Sequence, residues 1–165
     1  MLCLSHSNKN RNNNSMATNL KNYTSEVPAI TSMGRIEQCL VEAGATDISK
    51  KYEDQVCRAI TFRMMVNGIP LFFQLPAKVD ACFAALWGSM TSRGQQQADR
   101  KKWMVQAERT AWKIVSDWVE IQLSMIRLEQ AEALQIFLPY VYDPAKDQTF
   151  FQALKANNFK QLTNG

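Results

Sequence analysis

The chain has 165 residues, 46% hydrophobic and 21% charged, with a formal charge of +4 and a pI near 8.9. That is enough apolar material for one domain to build a core without disulfide or metal staples. No apolar run is long enough to span a bilayer, and no apolar segment followed by a cleavage site opens the chain, so a cytoplasmic protein with no membrane partner is expected.

The charge is uneven. Lys9, Arg11 and Lys21 put +3 on residues 1–22, leaving the other 143 residues at +1. The run Ser7 to Ser15 is polar and rich in asparagine, with nothing to bury. Residues 1–22 are therefore expected as a disordered tail, 23–156 as a single domain, and 157–165 as a frayed end. Met16, followed by Ala17-Thr18-Asn19, offers an alternative start. Tyr23 and Val27-Pro28 are the first residues expected to touch the domain.

Ile36, Leu40 and Ala43, with Cys39 beside them, make one apolar face of a helix expected from Ser32 to Ala43. Thr31 or Ser32 can cap its start, and Gly44 stands where a left-handed C-terminal residue is wanted. Asp47 to Tyr52 reads as a short strand, closed by a polar turn at Glu53-Asp54-Gln55.

Cys57–Val66 and Ile69–Leu75 flank Asn67-Gly68, the favoured pair for a two-residue type I′ hairpin. Such a turn pairs Val66 with Ile69, Met64 with Leu71, Phe62 with Phe73 and Ile60 with Leu75, all apolar and all on one face. The other face pairs Met65 with Pro70, Arg63 with Phe72, and Thr61 with Gln74, and is partly polar. Pro70 implies an open edge near the start of the second strand.

Pro76 opens a helix expected over Ala77 to Met90, with Val79, Cys82, Phe83, Leu86 and Met90 on its apolar face. Thr91 to Ala98 is expected as a polar loop. A long helix from Gln96 to Gln130 follows, without Gly or Pro. Its stripe of Met104, Ala107, Ala111, Ile114, Trp118, Ile121, Met125 and Leu128 has the 3,4 spacing of one helical face. On that phasing Trp118 is core, and Trp112 lies at the stripe's edge, partly exposed. A short helix over Ala131 to Leu138, a connection over 140–147 and a last helix over Thr149 to Lys155 complete the chain. The expected fold is α+β: a small three-stranded antiparallel sheet covered on one face by helices, with one long central helix in the C-terminal half.

Function is less legible. The only histidine is His6, in the tail, so histidine-based nucleophilic catalysis and common zinc sites inside the domain are excluded. The six glycines form no phosphate-binding loop. The four cysteines, Cys3, Cys39, Cys57 and Cys82, form no CxxC pair and are expected as free thiols in a reducing compartment. Asp117 and Glu120, with Lys113 a turn earlier, can share a helix face. That face could hold Mg²⁺ or do acid–base work, or it could simply be a solvated i,i+4 pair. No metal ligand, cofactor or catalytic residue is assigned.

Two surfaces could bind nucleic acid. One is the cluster Arg93, Arg100, Lys101 and Lys102, next to Trp103, whose cations suit phosphates. The other is the hairpin face where Arg63 lies across from Phe72, a cation beside an aromatic. Trp112, Lys113, Asp117 and Glu120 are the candidates for a surface contacting a protein partner. The helix–strand–strand–strand–helix order of residues 32–90 resembles the double-stranded RNA-binding domain in topology alone. Lys78, followed by Val79 and Asp80, does not match that family's lysine-rich helix start.

The run Ala107 to Leu123 (AERTAWKIVSDWVEIQL) resembles the signature of a family of small uncharacterised proteins encoded by phages, plasmids and other mobile elements. Phe137-Leu138-Pro139-Tyr140, Gly44-Ala45 and Phe73-Gln74-Leu75-Pro76 also resemble its pattern, over about residues 22–155. The resemblance implies an accessory protein of a mobile element and carries no activity with it. The expected function is non-enzymatic binding of single-stranded or structured nucleic acid. The alternative is a protein–protein module, either an inhibitor of a host factor or a homodimer, and a carboxylate- or Mg²⁺-dependent enzyme ranks below both.

Overall fold

The computed structural model describes residues 20–163. In chain order it holds α1 (Ala29–Glu42), β1 (Asp47–Glu53), β2 (Val56–Val66), β3 (Ile69–Pro76), α2 (Val79–Gly88), α3 (Ser92–Gln97) and α4 (Arg100–Arg127). Then come α5 (Ala133–Phe137), a 3₁₀ turn (Leu138–Tyr140), β4 (Tyr142–Asp143), β5 (Gln148–Thr149) and α6 (Phe150–Ala156). The fold is α+β, with a three-stranded antiparallel sheet ordered β1-β2-β3 and α4 as its long central helix.

The hairpin has the register its turn dictates: Val66 opposite Ile69, Phe62 opposite Phe73, Ile60 opposite Leu75. Gly68 takes φ +80° and Asn67 φ 50°, as a type I′ turn needs. Ile60, Phe62, Phe73 and Leu75 are buried, whereas Ile69, at the hairpin tip, is exposed. The apolar face therefore belongs to the core through Met64, with Val66 and Leu71 packed against it, and opens only at Ile69. The β1–β2 turn is also two residues long, with Asp54 at φ 50° and Gln55 at φ 65°. The edge of β3 is partly covered, since Phe73 bridges to Val141.

An aromatic cluster joins sheet to helices. Phe62 stacks on Phe73 with centroids 5.2 Å apart, and Phe137 meets both rings at 5.7 and 5.9 Å. Trp118 packs edge-on to Phe137 at 5.7 Å and against Tyr140 at 5.5 Å. Short α5 thus delivers one fully buried side chain, Phe137, that links β2, β3 and α4.

Several expected boundaries move, each for a local reason. The first helix begins at Ala29: the amides of Thr31 and Ser32 bond the Pro28 carbonyl, so neither side chain caps it, and Ser32 is buried. Gly44 takes φ +97° just past its end. The second helix waits until Val79 because the Ala77 amide still bonds the Arg58 carbonyl of the sheet. The expected loop after it holds α3, whose cap is Thr91, with Oγ1 accepting from the Gly94 amide at 3.1 Å. The connection over 140–147 forms β4 and the turn into β5.

The larger correction concerns the phasing of α4. Trp112, expected at the edge and partly exposed, is fully buried, together with Ala107, Thr110, Ala111, Ser116, Val119 and Leu123. Trp118, expected at the centre of the core, is only half-buried, and Ile121 and Leu128 are exposed. The helix is buried on two sides in its first half, where Ala107 and Ala111 of the expected stripe and Thr110 lie inward along with Trp112, and on the Trp112 side, with Ser116, Val119 and Leu123, in its second half. Small side chains let neighbouring backbones approach closely, which a count of large apolar residues does not register.

Candidate nucleic-acid interface

Helices α2, α3 and α4 meet at one corner. Gln95 of α3 donates from Nε2 to the Trp87 carbonyl at 2.9 Å, fixing α3 to the end of α2. Asp99 then caps α4, its carboxylate accepting from the Lys101 amide at 2.9 Å. This turn carries Arg100 back over α2. Its guanidinium carbon lies 4.7 Å from the Phe83 ring and 5.5 Å from the Trp87 ring, and those two rings stack at 5.4 Å. Arg93, Lys101 and Lys102 are exposed beside it.

The ion pairs among the described residues use Lys21, Lys50, Lys51, Arg58, Arg63, Lys113, Arg127 and Lys146, and none of these four cations. Three consecutive cations also open α4, with no acid in its first turn. Positive charge there opposes the helix macrodipole and costs stability. Sequence reasoning identified the cations but missed Phe83 and Trp87 beneath Arg100. Their i,i+4 spacing just ahead of the cationic run was the available signal.

The hairpin face is differently occupied. Arg63 and Phe72 are paired across the strands, but the Arg63 guanidinium is 2.6 Å from Asp47 and bonds Thr46 Oγ1 at 3.1 Å. Gln74 donates to Thr61 at 3.3 Å. Lys51 and Tyr142 both bond Asp147, at 3.1 and 2.7 Å. The hydrogen bond from Tyr142 and those from Lys51 hold the Asp147 carboxyl below its ordinary range. The cation–aromatic pair expected to bind nucleic acid on this face is thus neutralised by neighbours of its own sheet, and the two expected surfaces stand apart in charge.

The Lys113–Asp117–Glu120 line has a structural occupation. Asp117 is four-fifths buried and ion-paired with Lys113 in the same helix. It also accepts from Asn22 Nδ2 at 2.9 Å and lies 3.6 Å from Lys21. Thr110 donates to the Asn22 carbonyl at 3.2 Å, and Gln106 donates to the carbonyls of Tyr23 and Ser25, both at 3.0 Å. Three side chains of α4, Gln106, Thr110 and Asp117, thereby strap residues 21–25 along it, and among the described residues Leu20, ahead of Tyr23, already packs against the core. Burial raises the Asp117 pKa, but the bonds from Lys113 and Asn22 outweigh it and hold the carboxyl below the usual carboxylate range. Glu120 is exposed. Both acids line a shallow groove of about 460 Å³ with Lys21 and Ile121, and no third acid lines it.

Among the described residues no three His, Cys, Asp or Glu side chains are grouped to hold a metal. Cys57 and Cys82 are buried free thiols and Cys39 is half-buried; burial pushes all three pKa values up. Cys3 and His6 lie outside the described residues. No helix among the described residues is long and apolar enough to cross a membrane. Compared with protein-family models, with curated proteins and with solved structures, the chain matches none.

Proposed function

We propose that the protein is a non-enzymatic, cytoplasmic nucleic-acid-binding accessory of a mobile element, and that it binds through the α2–α3–α4 corner. One observation carries this reading: among the described residues no carboxylate forms an ion pair with Arg93, Arg100, Lys101 or Lys102, and three of them stand at a helix start that disfavours cations. A local electrostatic rule broken at a helix start is a pattern that proteins keep at functional sites. The mobile-element context rests on the sequence resemblance alone, carried chiefly by residues 107–123. The test is titration of single- and double-stranded oligonucleotides at several salt concentrations. Four phosphate contacts would give a slope of log K against log salt of roughly −3. A slope near zero, or no binding, would refute the proposal.

A second reading, a protein–protein module, draws on the outward face of α4. Trp112 is buried and cannot serve it, but Ile121 and Leu128 are exposed over the groove that Met125 also lines. An apolar surface left open in this way suits a partner. Sedimentation of the wild-type chain against Ile121→Asp tests self-association, and a concentration-independent monomer in both would exclude the homodimer.

A further inference from the structure

The proposed interface has a chemical preference built into it. Cations alone bind any phosphate backbone, single or double. Arg100 is not a cation alone. Its planar guanidinium lies over a stacked pair of rings, Phe83 and Trp87, with its carbon 4.7 and 5.5 Å from their centres. Phe83 is nearly fully buried and Trp87 half-buried, so the rings are held by the core. Arg100 is exposed, with its guanidinium carbon over both rings.

Resting on the reading above, we infer that this stack is a platform for an unpaired nucleobase, so that the corner takes single-stranded nucleic acid in preference to duplex. An Arg plane stacks on a base as it does on a ring. A base inside a duplex is already stacked on both sides and cannot reach the platform; a base in a single strand can. Arg93, Lys101 and Lys102, exposed around the stack, supply the backbone contacts that would hold the strand across it. Arg63 and Phe72 cannot supply an equivalent platform, because Asp47 and Thr46 occupy the guanidinium of Arg63.

The test compares wild type with Arg100→Lys, which keeps the charge and loses the plane at an exposed position. Oligothymidylate, oligouridylate and a DNA duplex of equal length are titrated at matched salt. The wild type should bind the single strands about ten-fold more tightly than duplex, and the variant should lose about ten-fold for single strands alone, with an unchanged salt slope. Quenching of tryptophan fluorescence on binding should weaken in parallel. Equal affinity for single strand and duplex, or an Arg100→Lys effect that is absent or the same on both, would overturn the platform and leave the nucleic-acid reading standing. No salt-dependent binding of any probe would overturn both.

Discussion

The indole Nε1 of Trp112 donates to the carbonyl oxygen of Cys57 at 3.2 Å. Both residues are completely buried, so this bond joins the middle of α4 to the start of β2 where no water can substitute. Trp112→Phe keeps much of the ring and strands the Cys57 carbonyl. The substitution should lower unfolding free energy by about 2 kcal/mol, the cost of an unsatisfied buried acceptor. A lower urea midpoint with unchanged cooperativity checks it; an unchanged midpoint would show that the bond contributes nothing.

The β1–β2 turn puts two non-glycine residues, Asp54 and Gln55, at positive φ. A side chain there meets the following carbonyl, and Asn-Gly is the pair that a type I′ turn favours. The double substitution Asp54→Asn with Gln55→Gly should therefore stabilise the domain by about 1 kcal/mol. Thermal unfolding measures it, and a fall in the midpoint would contradict the turn assignment.

Asp117 and Glu108 should drive stability in opposite directions with pH. The Asp117 carboxyl sits below its ordinary range. Its contribution is therefore full above the unfolded value and is lost as pH falls through the folded one. Burial pushes the half-buried Glu108 carboxyl up, only partly offset by its bond from the Cys57 amide. Its contribution is full below the unfolded value and is lost as pH rises through the folded one. Asp117→Asn should cost about 1–2 kcal/mol at neutral pH, where charged hydrogen bonds are lost, and little in acid. Glu108→Gln should raise stability at neutral pH and change little in acid. Denaturation of both variants from about pH 3 to about pH 7 reads the two slopes, which must have opposite signs.

How much of this was legible in the sequence differs by element. The hairpin register is fixed by Asn67-Gly68 and the period-two pattern, and every pair follows. The phasing of α4 is legible only in part: Ala107 and Ala111 of the expected stripe are buried and Trp118 packs on Phe137, but Ile121 and Leu128 keep the same spacing and are exposed. A second buried line is marked by Trp112, Ser116, Val119 and Leu123. The two-residue strands β4 and β5 are too short to show any period. At the candidate site the cations are evident in sequence. The pairing of Phe83 and Trp87 is signalled by their i,i+4 spacing, but the turn through α3 that brings Arg100 over them is tertiary and not encoded in that spacing, and Asp47 meets Arg63 across β1 and β2 in the same way.

The most direct measurement is anisotropy of a labelled single strand with wild type and with the double variant Lys101→Glu, Lys102→Glu, over a range of salt. Acids in the first turn of α4 favour the helix dipole, so the variant should be as stable as wild type or more so, by up to about 1 kcal/mol. Any loss of binding therefore cannot be ascribed to unfolding. The expected result is a folded variant with affinity lowered at least ten-fold and a salt slope reduced by about two. A folded variant that binds with wild-type affinity and slope would contradict the assignment of the basic corner as the nucleic-acid interface.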